Sequence, residues 1–232
     1  MSNNLVSICM PYFNRIEPLK KTLQSYQDCG YFESKTFSVE VCICDDGSTK
    51  EPITEIEPRP WLKTLQLPAK ESWKCACVPI NRSVEMSSGA LILLTSPEVM
   101  HPKPILWEMF SKLSDWKDTV LACVKNFNGN KISWYSHPVH RPARYWWCQM
   151  MNRELFDKVH GFDESYRNGR GWEDDDFVER LDKAKSQWKW IDEDHYVEHL
   201  FLGGKPAEVL RKGENKKRFF KKYGKKDTRG FI

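Results

Sequence analysis

Three short apolar runs, each breaking off into a polar turn, constrain the fold of this chain more than any other feature. Leu5–Met10 ends at Pro11-Tyr12-Phe13-Asn14-Arg15, Phe37–Cys44 at Asp45-Asp46-Gly47-Ser48-Thr49, and Ala90–Thr95 at Ser96-Pro97-Glu98. Between the first two runs, Glu17–Tyr26 carries Leu19, Leu23 and Tyr26 at helical spacing. Strand, loop, helix, strand is a βαβ unit, and its default is a parallel sheet. Ligands bind such sheets beyond the carboxyl ends of the strands, which is where all three turns fall. A carboxylate at that edge, Asp45 or Asp46, can accept hydrogen bonds from a base N–H or from ribose hydroxyls. An Asp-Asp-Gly-Ser turn also forms with no ligand at all.

The remaining elements follow the same signals. Trp61–Leu67 reads as an edge strand, Cys75–Val78 as a third inner strand, and Asn81–Ser88 as a short helix stopped by Gly89. Lys103–Ser114 reads as a helix, Thr119–Lys125, Lys131–Tyr135 and Trp188–Ile191 as strands, and Asn152–Phe156 as the start of another helix. The stretch Gly161–Leu181 is glycine-rich and then places four carboxylates in a row, Glu173 to Asp176, before Phe177, Val178 and Leu181 at helical spacing. It delivers an acidic cluster to the first turn of a helix, where free N–H groups and the helix dipole favour negative charge. Crowded like charges raise the pKa of one member, as an acid–base catalyst requires. A solvated acidic face is the competing reading. Trp172 and the close-approach glycines Gly161, Gly169 and Gly171 argue against it.

At 232 residues, with 40% hydrophobic side chains and 10 Trp, the chain suits one large domain, or a domain with a small appendage. No apolar run approaches a membrane span, and the opening Met-Ser-Asn-Asn does not resemble a signal peptide, so the expected setting is cytoplasmic. The Cys42/Cys44 and Cys75/Cys77 pairs lack the usual spacing of zinc sites and read as reduced core thiols. Net charge is +4, yet residues 211–232 hold ten Lys/Arg and two acids, so the rest of the chain is net acidic.

Val6–Arg15, Val39–Thr49, Asn81–Glu98 and Gly161–Leu181, in this order and spacing, resemble a family 2 glycosyltransferase with the GT-A fold. The block Gly-Trp-Glu-Asp-Asp-Asp-Phe also resembles the galactosyltransferase-type C-terminal segment of chondroitin-polymerase and β-1,4-galactosyltransferase relatives. The resemblance implies an α/β, Rossmann-like fold: a mostly parallel central sheet flanked by helices, with a small antiparallel sheet on the acceptor side. It implies one domain over residues 1–210, divided into a nucleotide-sugar-binding half (1–102) and an acceptor and catalytic half (103–210). Residues 211–232 follow as a basic helix or tail. The implied activity is inverting transfer of a sugar from a nucleotide-diphosphate donor, most commonly a UDP-sugar, to an acceptor hydroxyl in glycan synthesis, with Mn²⁺ or Mg²⁺.

Carried over by position, the donor-binding candidates are Pro11, Tyr12, Asn14, Arg15, Asp45, Asp46, Asn81 and Ser96. The metal candidates are Glu98 and His199. Asp174 is the general base, with Glu173 binding the acceptor and Asp175 as the second candidate for the base. Sugar faces stack on aromatic rings, so Arg144, Tyr145, Trp146 and Trp172 are the acceptor-binding candidates, although a core role for Trp146 and Trp147 is the simpler reading. Two departures stand out. Ile80 replaces the family's arginine before Asn81, and Ser96-Pro97-Glu98 replaces Asp-x-Asp, leaving one carboxylate where two are usual. A metal-independent enzyme, or a protein that binds nucleotide-sugar or glycan without turnover, therefore stays open. So does transfer to a modified nucleic acid docked on the basic tail.

Overall fold

The computed structural model describes residues 4–70, 74–128, 131–200 and 213–224. It is a mixed α/β structure with a seven-stranded, mostly parallel sheet and a separate four-stranded sheet. In chain order the large sheet takes β1 (Leu5–Tyr12), β2 (Ser38–Asp45), β3 (Leu62–Gln66), β4 (Leu91–Thr95), β6 (Asp118–Leu121), β9 (Cys148–Asn152) and β10 (Gln187–Trp190). Their spatial order is β10-β6-β9-β4-β1-β2-β3. The small sheet takes β5 (Val99–Met100), β7 (Val124–Asn128), β8 (Lys131–Ser136) and β11 (Val197–Leu200), in the order β5-β11-β7-β8.

β1 and β2 are buried along all but their first residues because the sheet is covered on both faces, and the polar Ser7 and Glu40 within them pair with each other at 2.7 Å. Val6, Ile8 and Met10 of β1 join one core with Leu19, Leu23 and Tyr26 of α1 (Ile16–Asp28) and with Leu106 and Met109 of α3 (Leu106–Ser111). Cys9 points to the other face. The core there holds Ile80 of α2 (Cys77–Glu85), Leu155 of α4 (Arg153–Lys158), Phe177 and Leu181 of α5 (Glu173–Lys183) and Phe219 of α6 (Glu214–Tyr223). Each fully buried Leu, Ile or Phe contributes about 1.5–3 kcal/mol of transfer free energy. No described helix is long and apolar enough to cross a membrane.

Several expectations are corrected. Cys75–Val78 is not a strand: Cys77 opens α2, with Pro79 in the first turn where its missing N–H costs nothing. A short apolar run does not by itself distinguish a strand from a buried helix turn. Thr119–Lys125 is not one strand. It breaks at Ala122-Cys123, where the Ala122 N–H donates to Cys148 and the Cys123 carbonyl accepts from Val197. The chain thereby leaves the large sheet as β6 and enters the small one as β7. The helix read over Lys103–Ser114 covers only Leu106–Ser111. The small sheet is mixed rather than antiparallel, because β11 runs parallel to β7. β9, wedged antiparallel between β4 and β6, had no periodic signature strong enough to read.

Candidate active site

The turn after β2 is built by its own polar groups. Asp45 is fully buried and accepts from the Ser48 N–H (2.8 Å) and the Ile53 N–H (3.0 Å). Asn14 accepts from the Lys50 and Glu51 N–H groups (3.0 and 3.1 Å) and gives its own N–H to Ser48 Oγ. The Tyr12 hydroxyl donates to the Glu51 carbonyl. Gly47 has φ +85°, and a Cβ there would lie 2.2 Å from the Pro68 carbonyl oxygen, so the position requires glycine. Asp46 pairs with Lys70. Burial raises its carboxyl, and the Lys70 ammonium opposes the rise. Beside this pair opens a pocket of ≈ 480 Å³ lined among others by Asp46, Pro68, Lys70, Cys75, Val78 and Arg167. Pro11 is buried within β1. Asn81 fastens α2 to the glycine-rich loop: its Nδ2 donates to the Phe162 carbonyl (2.9 Å) and Glu164 (3.0 Å), and its Oδ1 accepts from the Phe162 N–H (2.8 Å).

At the end of β4, Ser96 is buried and its carbonyl accepts from the Val99 N–H. Antiparallel pairing of β5 with β11 sets His199 opposite Val99, beside Glu98. Glu98 Oε1 lies 3.1 Å from Arg15 Nη1 and 3.9 Å from His199 Nε2. Burial works against charge on Glu98, but His199 and Arg15 outweigh it and hold the carboxyl below its ordinary range. His199 Nδ1 lies 2.8 Å from Asn126 Oδ1.

The aromatic wall begins here. Trp147 meets the His199 ring edge-on at 4.2 Å, and Tyr135 packs against both Trp147 (4.5 Å) and His199 (5.3 Å), with Tyr145 at 6.1 Å. Burial raises the Tyr135 phenol, and the charges of Asp174 and Glu98 raise it further. One buried phenol thus lies within electrostatic reach of both carboxylates. Trp146 and Trp172 are buried: Trp146 packs edge-on against Phe162, and Trp172 rests on Phe219 and Phe220 at 5.2 Å each. Arg144 makes two hydrogen bonds to Asp182 (2.7 and 2.8 Å) over the Trp188 ring.

The four acids of α5 diverge as a helix requires. Asp174 and Asp175 are half-buried. Glu173 is buried with Oε2 unpartnered, and desolvation pushes its carboxyl up to about 7 despite a hydrogen bond from Cys75. Asp176 is a structural hub: Arg180 (2.8 Å), Lys222 (2.6 Å) and Tyr223 (2.8 Å) converge on it, with Tyr166 at 3.3 Å. α6 holds this block in place. Asn215 donates to the Tyr166 and Gly171 carbonyls, both at 2.9 Å, and a Cβ at Gly169 would lie 2.3 Å from Asn215 Oδ1. Sequence reasoning nominated the acids but not Tyr135, Trp147, Asn126 or Lys70. Trp147 lay inside the aromatic run; the other three carried no local signal.

A divalent cation is implied by the resemblance, and the donor set accommodates one. His199 Nδ1 is taken up by Asn126 Oδ1, so Nε2 is the ring nitrogen on the side of Glu98, and an imidazole nitrogen and a carboxylate oxygen from two different segments stand beside each other. Two such donors suit an ion that takes further oxygens from a diphosphate. Among the described residues no group of three His, Cys, Asp or Glu side chains forms a metal cluster.

A sequence model described as the N-terminal domain of galactosyltransferase matches residues 135–200. No curated protein matched the chain in sequence. Among solved structures, S. aureus TarS 1-349 superposes with a TM-score of 0.67 at 16% identity, over 85% of this chain and 60% of that one. GalNAc-T7, crystallised with UDP, GalNAc and Mn²⁺, gives 0.68 at 13% identity, over 89% and 46%. The fold is the GT-A fold of glycosyltransferases. The chain spans less than two thirds of the length of either structure. On this GT-A frame the galactosyltransferase match runs from Tyr135 to Leu200, taking in the aromatic wall, the acid block and His199 together.

Proposed function

We propose that this protein transfers a sugar from a nucleotide-diphosphate donor to an acceptor hydroxyl, with inversion at the anomeric carbon. The observation that carries the reading is the pair of carboxylates, Glu98 and Asp174, both within electrostatic reach of the one buried Tyr135 phenol on a GT-A frame. The pocket beside Asp46 accommodates the nucleoside, for which uridine is the first candidate. Asp174 takes the proton of the acceptor hydroxyl. The freed oxygen attacks the anomeric carbon as the bond to the diphosphate breaks, so the proton ends on the carboxylate and the charge on the leaving diphosphate. Glu173 positions the acceptor, Asp175 is the second candidate for the base, and Tyr145 and Arg144 border the acceptor side. Glu98 and His199 would hold Mn²⁺ or Mg²⁺, which supplies charge neutralisation to the leaving diphosphate.

A second reading has its own support. Arg15, 3.1 Å from Glu98, already brings a positive charge to this position, as a metal-independent transferase requires. The experiment is a measurement of nucleoside-diphosphate release from a panel of UDP-sugars and acceptors, with Mn²⁺ or with EDTA. Release that needs Mn²⁺ and disappears in Glu98→Gln supports the metal-dependent enzyme. Release that persists in EDTA but disappears in Arg15→Ala supports the second reading. Tight donor binding with no release from any pair would defeat both.

A further inference from the structure

The outer face of α6 has no part in the chemistry above, and it is built differently from the inner one. Asn215, Phe219 and Tyr223, spaced four apart, face the glycine-rich loop and α5. Glu214, Lys217, Arg218, Lys221 and Lys222 recur at spacings of three and four on the other side. They line a cleft of ≈ 560 Å³ whose opposite wall is Asp163 and Ser165. Both acids of the cleft are matched: Glu214 lies 3.1 Å from Lys217, and Asp163 lies 2.8 Å from Lys222. The excess charge of the cleft is therefore that of Arg218 and Lys221.

We propose that this cleft docks a linear phosphodiester chain. Charge, shape and lining select this occupant. The cleft is net positive, so its ligand is anionic. It is concave, which admits a slender chain. A bilayer would demand outward apolar side chains to insert, and those of α6 are turned into the protein. None of the seven lining residues is aromatic or apolar, so the contact reads charge and not bases or sugar rings. Donors stand on both walls, Ser165 on one and Arg218 and Lys221 on the other, and the non-bridging oxygens of a phosphodiester face both ways. Lys222 is held between two carboxylates, Asp163 on the cleft wall and the buried Asp176, so it adds no excess charge of its own.

The test is binding of the full chain, without sugar donor, to four labelled probes. These are a short abasic oligodeoxynucleotide, oligo-dT of the same length, hyaluronate, and phosphatidylserine vesicles. The abasic and dT chains should bind alike, with log K falling against log salt at a slope of about −1 to −3, the value for a few phosphate contacts on a single strand. Arg218→Glu/Lys221→Glu should weaken that binding by at least about tenfold, and Arg218→Gln/Lys221→Gln should do so less, with thermal midpoints close to the parent's. Four results would overturn the proposal: binding of dT but not of the abasic chain, hyaluronate bound as tightly as the oligonucleotides, binding to vesicles alone, or double variants that bind like the parent. Because no donor is present, phosphodiester binding survives even if the protein transfers no sugar. Failure to bind leaves the transfer reading untouched.

Discussion

In the turn after β2, Asp45 gives both carboxylate oxygens to backbone N–H groups, from Ser48 and Ile53. In the first turn of α5, Glu173 keeps Oε2 without a partner and titrates near 7. Cys75 stands between the two, lining the pocket beside Asp46 and hydrogen-bonding Glu173. A carboxylate whose two oxygens are both taken up by backbone donors fixes the geometry of its turn. One stripped of water with an oxygen left unpartnered holds its proton to higher pH. The acid block itself repeats the contrast, since Asp176 is saturated by Arg180, Lys222 and Tyr223 only three residues from Glu173.

That division can be broken experimentally. The largest effect belongs to the reactive side: Asp174→Asn should lower turnover by about 10²–10⁴-fold with the fold intact. Steady-state diphosphate release together with circular dichroism checks this, and near-normal turnover would remove Asp174 as the base. On the structural side, Asp176→Ala strips a buried hub of its charge. It should cost about 3–5 kcal/mol in urea unfolding, because Arg180 is left half-buried without its carboxylate. Gly47→Ala should cost about 1–3 kcal/mol and weaken nucleotide binding, since the positive φ and the Pro68 carbonyl both oppose a Cβ. A thermal shift with and without UDP measures both effects.

The smallest effect is the most diagnostic of Glu173. Its folded-state pKa lies above its ordinary value, so between about 4.5 and about 7 the folded protein holds a proton that the unfolded chain has lost. That contribution to stability is complete at the acidic end of the window and falls away as pH rises through it. Glu173→Gln cannot ionise, so its stability relative to the parent should climb from pH 5 to pH 7.5. Parallel denaturation curves for the two proteins across that range would show that Glu173 is an ordinary ionised acid.

Much of the fold was legible along the chain because its signals are local. The apolar runs of β1, β2 and β4, the amphipathic spacing of α1 and the acid-headed helix α5 each depend on residues a few positions apart. The turns that end the strands also announced which residues crowd the sheet edge. Their roles were less legible. Asn81 and Asp45 were nominated as donor contacts, and in the structure their polar atoms fasten loops.

By itself, then, the sequence determined the βαβ framework, the acid-headed helix and the set of residues available to a site, because backbone geometry imposes short periods on side-chain patterns. Tertiary structure alone decided which of those residues meet. The register of β11 on β5 sets His199 beside Glu98, the break at Ala122-Cys123 moves one run between two sheets, and α6 closes over Trp172 and Asp176. Those arrangements join residues far apart in the chain, and what selects them is the packing of whole elements and the pairing of buried charges, to which no local period corresponds.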